Sequence, residues 1–262
     1  MRFALINDER VESSPRQKGS CPGCVAPVTA KCGTQRIWHW AHDNKKCCDN
    51  WWKPETEWHR AWKDKFPREC QESHHHDELS GERHIADVKT KSGLVIEFQH
   101  SHLNPEERIA RESFYKNMVW VVDGMRLKRD YLRFLKGQVD FRSIPGNRFF
   151  YCLFPEEYFP VGWLESSVPV IFDFQSVPLD DPQNTRVKGL WCLLPGRMGS
   201  RAVVFEISSQ EFIARACSPN EFQDMHKIIP LLRGFEKERS KLENALRPRI
   251  TYRPGRWARP RL

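Results

Sequence analysis

The chain has 262 residues, of which 39% are hydrophobic, including 16 Phe and 10 Trp, and it carries a net charge of +8. That length holds one large domain or two modest ones with a true core, and the composition excludes a wholly disordered chain. No run approaches the roughly 20 apolar residues of a membrane span, and MRFALINDERVESS lacks a signal-peptide core, so the expectation is a cytoplasmic protein with no membrane partner.

The first zone, residues 1–50, is rich in Cys, His and turn residues. Five of the nine cysteines fall here: Cys21, Cys24, Cys32, Cys47 and Cys48. An odd count, unevenly spread, argues for a metal rather than a disulfide framework. Cys21-Pro-Gly-Cys24 is a C-x2-C knuckle, followed by His39 and His42 in H-x2-H. Thiolates and imidazoles at such spacing suit tetrahedral structural Zn²⁺. Cys21 and Cys24 are the firmest ligands and His42 is next, with the fourth place between His39 and Cys48.

The second zone, residues 51–137, reads as helix, strand, strand, helix, strand. PETEWHRAWKDKF opens with Pro54 and acids, which suits a helix start. Trp58 and Trp62 share a core face, while Glu55, His59 and Lys63 recur every four residues as a polar ridge. QESHHHDELSGER, with histidines 74–76, reads as a solvated loop. HIADVKTKSGLVIEFQHS then reads as a hairpin turning near Gly93. Alternation puts Leu94, Ile96 and Phe98 on one face and Val95, Glu97 and Gln99 on the other. Tight pairing brings Asp87 opposite or diagonal to Glu97. Two carboxylates this close repel unless a cation neutralises them, and a hard divalent ion, Mg²⁺ or Mn²⁺, fits that donor set. In NPEERIARESFYKN, Asn104 is the N-cap and Pro105 the first helical residue; Ile109 and Phe114 are expected to face inward, with Arg108 and Arg111 on charged faces. MVWVVDG reads as a buried strand.

The third zone, 138–217, reads as short strands with loops, among them RFFYCLFP, VPVIFDF, GLWCLLP and RAVVFEI. The fourth, 218–262, is a charged helical stretch interrupted by Pro230, followed by RPRITYRPGRWARPRL with six Arg and no acid. Arg108, Arg111, Arg256 and Trp257 are the candidate nucleic-acid contacts, through phosphate attraction and base stacking.

Over roughly residues 20–125, the order CPGC, HWAH, ETEWHRAWK, HIADV, IEFQHS, the Arg-rich helix and MVWVVDG resembles the competence protein CoiA family, whose nuclease domain belongs to the PD-(D/E)XK superfamily. The resemblance implies an α/β (α+β) fold: a mixed β-sheet flanked by helices, preceded by a zinc-binding module (1–50); the β-rich extension (138–217) and the helical, Arg-tailed end (218–262) are read from the residues and lie beyond it. It implies that Asp87 and Glu97 bind the catalytic metal and that Gln99 stands where most of the superfamily has Lys. It makes Glu55 the acid on the preceding helix, with Glu57 as its rival and His59 and Lys63 beside it. The implied function is a Mg²⁺- or Mn²⁺-dependent deoxyribonuclease acting in DNA uptake, recombination or related processing. Two other readings stand beside it. One is a catalytically silent nucleic-acid-binding protein using the zinc module and basic tail; the other is an adaptor whose aromatic-rich residues 138–217 bind a partner protein.

Overall fold

A computed structural model describes residues 1–44, 49, 51, 53–77, 81–174, 189–218, 222 and 225–246, the side chains of 242–246 excepted. Cys47, Cys48, Arg256 and Trp257 lie outside the described residues. The chain divides into two compact units, Met1–Ile229 and Pro230–Leu262.

The first unit opens with an antiparallel sheet of β1 (Phe3–Ile6), β2 (Glu9–Glu12), β3 (Lys18–Ser20), β4 (Pro27–Lys31) and β5 (His39–His42), in the order β2-β1-β3-β4-β5. Ile6 pairs with Glu9, and the intervening Asn7 and Asp8 both have positive φ, 50° and 64°. Short polar side chains tolerate the left-handed region, so this pair makes the two-residue hairpin turn whose twist matches its strands. Ala4, Cys21, Val28 and Trp40 form the small core beneath.

The same unit continues through α1 (Glu57–Lys63), a 3₁₀ turn (Arg68–Cys70), β6 (Gln71–His76), β7 (Arg83–Lys89), β8 (Val95–Gln99), α2 (Pro105–Tyr115), β9 (Met118–Asp123) and α3 (Lys128–Gln138). There follow β10 (Arg142–Ser143), β11 (Phe150–Cys152), α4 (Pro155–Tyr158), α5 (Val161–Leu164), β12 (Val170–Asp173), β13 (Leu190–Leu193), β14 (Ala202–Ile207) and α6 (Ser209–Cys217). The strands make one mixed sheet in the order β10-β11-β14-β13-β12-β9-β8-β7-β6. β9 is parallel to both neighbours, β8 and β12; α2 supplies the crossover that parallel β8 and β9 need. β8 and nearly all of β9 are buried, as strands covered on both faces must be.

Several elements differ from the sequence expectation. Histidines 74–76 are strand, not loop: His74 pairs with Ile85, His75 with His84 and His76 with Arg83. Their polarity hid a strand whose partner lies beyond a turn. β11, β12, β13 and β14, read as a separate extension, join the sheet of β6–β9, so no sheet boundary falls at residue 137. The stretch 138–217 also carries α4, α5 and α6. The helix after residue 218 is α7 (Met225–Leu246), with Pro230 inside it rather than interrupting it. On α2, Asn104 caps as expected by accepting the Glu106 N–H at 2.9 Å. Its buried face, however, is Arg108, Arg111, Glu112 and Tyr115, and Ile109 is 54% exposed. The reason is charge pairing. Glu112 accepts from Arg108 Nη1 (2.7 Å), Trp120 Nε1 (3.1 Å) and the Ser166 and Ser167 hydroxyls (2.8 and 2.7 Å), so its burial is compensated.

α1 is fixed by a long-range contact. Trp58 Nε1 and Trp62 Nε1 both donate to Asp173 Oδ2, at 3.0 and 2.9 Å, from a carboxylate on β12 more than 110 residues away. The shared Trp face expected for α1 is therefore present, and its partner is a buried acid as well as the Trp62–Phe98 stack. Asp173→Ala leaves two indole N–H groups without an acceptor and is expected to cost about 3 kcal/mol in urea unfolding; a loss under 1 kcal/mol would show that the clamp does not hold α1.

Candidate functional site

Two clusters of polar side chains stand out: a Cys/His group that could hold a metal ion, and a row of acids around a buried lysine. The first lies in the N-terminal sheet. Cys21 N–H donates to Ala26 O and Val25 N–H to Cys21 O, both at 2.9 Å, and Val25 has φ 61°. This tight turn swings Cys24 back beside Cys21, whose sulfur accepts the Gly23 N–H at 3.4 Å. β5 delivers His42, whose Nε2 lies 3.2 Å from Cys24 Sγ. The ligand atoms of Cys21, Cys24 and His42 fall within 4.8 Å of one another. Two thiolates and an imidazole in this geometry are a donor set for an ion such as zinc. His39 is not in that cluster: its Nδ1 contacts Ile37 O at 2.8 Å, and it lines the cleft described next. Cys48, the rival for the fourth place, lies outside the described residues.

The second cluster follows from strand register. β7 and β8 pair at Val88↔Ile96 and Lys89↔Val95, so Asp87 and Glu97 come next, facing each other as expected. Here side chains replace backbone in the ladder. Asp87 N–H donates to Glu97 Oε1 at 3.2 Å, and Phe98 N–H donates to Asp87 Oδ2 at 2.9 Å. On the other side, Gln71↔Val88 and Ser73↔Ala86 bracket Glu72 against Asp87. Three carboxylates therefore stand in one row across β6, β7 and β8.

Glu72 went unnoticed in the sequence because it sits in the stretch read as loop. It has φ 47°, a conformation that a non-glycine residue holds only when its surroundings impose it. Its carboxylate accepts the backbone N–H groups of Arg2 (2.7 Å) and Phe3 (3.2 Å). Against the cost of burial, Lys63 and these donors hold its pKa down to about 2.

Lys63 is the hub. Only 3% exposed, its Nζ lies 2.6 Å from Glu55 Oε1, 3.2 Å from Glu72 Oε1 and 3.7 Å from Asp87 Oδ1. Burial alone would discharge it, but Glu72, Asp87 and Glu55 outweigh burial and raise its pKa, so it stays an ammonium. Glu55 is not on the helix as expected. α1 starts at Glu57 behind the N-cap Thr56, and Glu55 reaches back to Lys63 and Arg60, the latter at 2.7 Å. Glu57, its rival, is exposed. His59 Nδ1 accepts the Thr56 N–H at 3.3 Å and completes a capping box. Burial lowers its pKa, so it offers the cleft a neutral ring, and the positive charge comes from Lys63.

Glu97 carries the strain of the arrangement. Burial, followed by repulsion from Asp87, pushes its pKa up to about 8, although Arg111 Nη1 lies 2.8 Å from its Oε2. Arg108 and Arg111, expected to face nucleic acid, are buried instead: Arg108 pairs with Glu112, and Arg111 with Glu97 and with Glu107 at 2.5 Å. The Gln99 amide donates to Ser101 O (2.8 Å) and Ser101 Oγ (3.0 Å) and so holds the chain turn after β8. Glu55, His59, Lys63, Glu72, Asp87, Glu97 and Gln99 all line one cleft of about 1050 Å³, open to solvent. A further pair missed by sequence reasoning borders it: His100 Nδ1 and Asp123 Oδ2 are 2.6 Å apart.

Residues 6–50 match the family model Competence protein CoiA, N-terminal domain. The match takes in Cys21, Cys24 and His42 and ends before Glu55, so it does not reach the carboxylates and lysine of the acidic cluster. No curated protein and no solved structure matches the chain significantly. Among the described residues, no helix is long and apolar enough to cross a membrane.

Two outcomes follow from the clusters. The purified chain is expected to carry about one equivalent of zinc by mass spectrometry, reduced below half in Cys24→Ser; less than half an equivalent in the parent chain would contradict the cluster. The second concerns stability without divalent ions. Because folding raises Glu97 from 4.5 to about 8, the folded state binds the extra proton, and stability is lost as pH rises through that window. The lowered histidines act in the opposite sense below about pH 6.5, so the Glu97 signature is a fall between about pH 6.5 and 8. It should be absent in Glu97→Gln; a parent chain whose melting temperature rises over that range would contradict it.

Proposed function

We propose that this CoiA-like chain is a divalent-metal-dependent nuclease that hydrolyses DNA phosphodiester bonds, with a competence-related role in DNA uptake or recombination. The single observation that carries this reading is the row at Asp87 and Glu97: two facing carboxylates, one of them only half-compensated, at the floor of an open cleft and beside a buried ammonium. The donor set suits Mg²⁺ or Mn²⁺, which take one or two carboxylates and complete their shell with waters and substrate phosphate. Glu97 Oε1 and Oε2 each receive one hydrogen bond and each keeps a second lone pair, and Asp87 is 24% exposed, open to the cleft. When bound, a divalent cation supplies a water of lowered pKa and positive charge at the phosphate.

The chain's own residues do the rest. Asp87 and Glu97 would hold the ion, with Glu97 in its ionised form there. Lys63, fixed by Glu55 and Glu72, presents permanent positive charge beside Asp87. It thereby supplies from α1 the charge that Gln99 lacks at the end of β8. Glu55 and Glu72 act as positioning residues for Lys63. His59 remains a neutral hydrogen-bond group at the wall. One observation favours a second reading, binding of nucleic acid without cleavage: the Gln99 amide is engaged with Ser101, so it does not substitute for a lysine at its own position.

Cleavage of single-stranded and duplex DNA with Mn²⁺ decides between them. Asp87→Ala is expected to lower the rate by about a thousandfold or more, with Lys63→Met close behind. Cleavage by the parent chain that survives Asp87→Ala would refute the assignment, and a parent chain that binds DNA without cutting it would favour the second reading. Mn²⁺ binding followed by calorimetry should release one proton at pH 6.5, tighten toward pH 8 and level off above it, because Glu97 must ionise to bind; a pH-independent affinity would contradict that role.

A further inference from the structure

A second cleft, of about 720 Å³ and open to solvent, adjoins the acidic one and shares Gln99, His100 and Ser101 with it as a common wall. Five chain segments line it: the end of β8 with the loop after it, Arg108 on α2, the turn from β9 into α3, the short helix α5, and the end of β12. Its character differs from that of its neighbour. Phe172 and Phe174 form a buried aromatic floor, and Trp163 on α5 stands half-buried at the side. Arg126 lies exposed at the rim. Arg108, 4% exposed, lines the wall with its Nε lacking a hydrogen-bond partner. Gly162 also lines it, and a Cβ there would meet nothing within 4 Å, so the space beside it is open.

Two acids also line it, Asp123 beside His100 (2.6 Å) and Asp130 beside Arg133 (3.6 Å), and Arg108 is paired with Glu112. An aromatic side wall with an exposed cation at the rim, next to a site for a phosphate, matches the chemistry of a nucleotide with its base unpaired. A base stacks on an aromatic ring with little sequence preference, and a cation at the rim attracts the flanking phosphate. A base held in a duplex cannot enter such a recess without first leaving its stack.

We infer that this second cleft is a subsite for one unpaired nucleobase, placed next to the phosphate that the acidic cleft receives. The substrate is then a strand that is single at that point: a free single strand, an overhang or a flap. The inference rests on the nuclease reading for the position of the phosphate, but its contact with the base needs no metal and no cleavage.

The test is equilibrium binding of the full, zinc-loaded chain without added Mg²⁺ or Mn²⁺, by fluorescence anisotropy, to a labelled single-stranded 12-mer, to the same strand with one abasic position scanned along it, and to its duplex. Asp87→Ala is measured alongside. For the parent chain, one abasic position is expected to weaken binding roughly tenfold, the loss of one stacked base. In Trp163→Ala that position should make no further difference. Because Trp163 also packs on Trp120, with ring centroids 5.3 Å apart, Gly162→Leu serves as a second variant that fills the recess from an open position; it should weaken single-strand binding and leave duplex binding and the melting temperature unchanged. The inference is overturned if no abasic position matters, or if both variants weaken single strand and duplex equally. A flat abasic scan with metal-dependent cleavage lost in Asp87→Ala removes the subsite and leaves the nuclease reading. An abasic effect without any cleavage keeps the subsite and removes that reading.

Discussion

Asp87 and Glu97 face each other across β7 and β8 where the backbone ladder gives way to side chains, and their mutual repulsion in a poorly hydrated setting organises much of what surrounds them. Two ionised carboxylates at that separation are unfavourable when water cannot screen them. The chain answers with cations of opposite origin. Lys63 approaches Asp87 from α1, and Arg111 approaches Glu97 from α2. Neither offsets the whole cost, since burial first and then Asp87 still push Glu97 up to about 8. A fold that tolerates such a group only half-compensated has a use for it elsewhere, because well-packed apolar residues would be at least as stable. In the function proposed above, that use is a place for a divalent cation.

The site depends on parts of the chain far from it. Asp173 on β12 gathers the indoles of Trp58 and Trp62 and so fixes the helix that carries Lys63. Glu72, at the edge of the row, accepts the backbone N–H groups at the start of β1 and touches Lys63 with the same carboxylate. The N-terminal sheet, with its Cys21, Cys24 and His42 cluster, is thereby tied directly to the acidic cleft. A metal in that cluster would steady the sheet whose first strand helps hold Glu72, and Glu72 helps hold Lys63.

How much of this was legible in the sequence depends on the range of each interaction. The Asp87–Glu97 pairing was readable because a hairpin of short turn fixes register locally. The Cys21-x-x-Cys24 knuckle was readable because two ligands lie within one turn, and His42 followed from its spacing. The ridge of Glu55, His59 and Lys63 was read correctly as a group, yet for the wrong reason: Glu55 precedes the helix and meets Lys63 by folding back. Glu72 was missed because polar residues around it resemble a loop until their partner strand, residues 83–89, is known. Arg108 and Arg111 read as surface charge in the sequence, since periodicity cannot tell a solvated cation from one buried against an acid. Asp173, His100 with Asp123, and the strands that continue the sheet past residue 137 depend on contacts between distant segments, and no local pattern announces them.

The account's central claim concerns where a divalent ion sits, and anomalous scattering from crystals of the full chain soaked in Mn²⁺ tests it most directly. A manganese peak within coordinating distance of both the Asp87 and Glu97 carboxylates, with Lys63 still lodged between Glu55 and Glu72, is the predicted result. A chain that takes up manganese elsewhere, or leaves Glu97 bound to Arg111 with no metal density between the two facing acids, would contradict it.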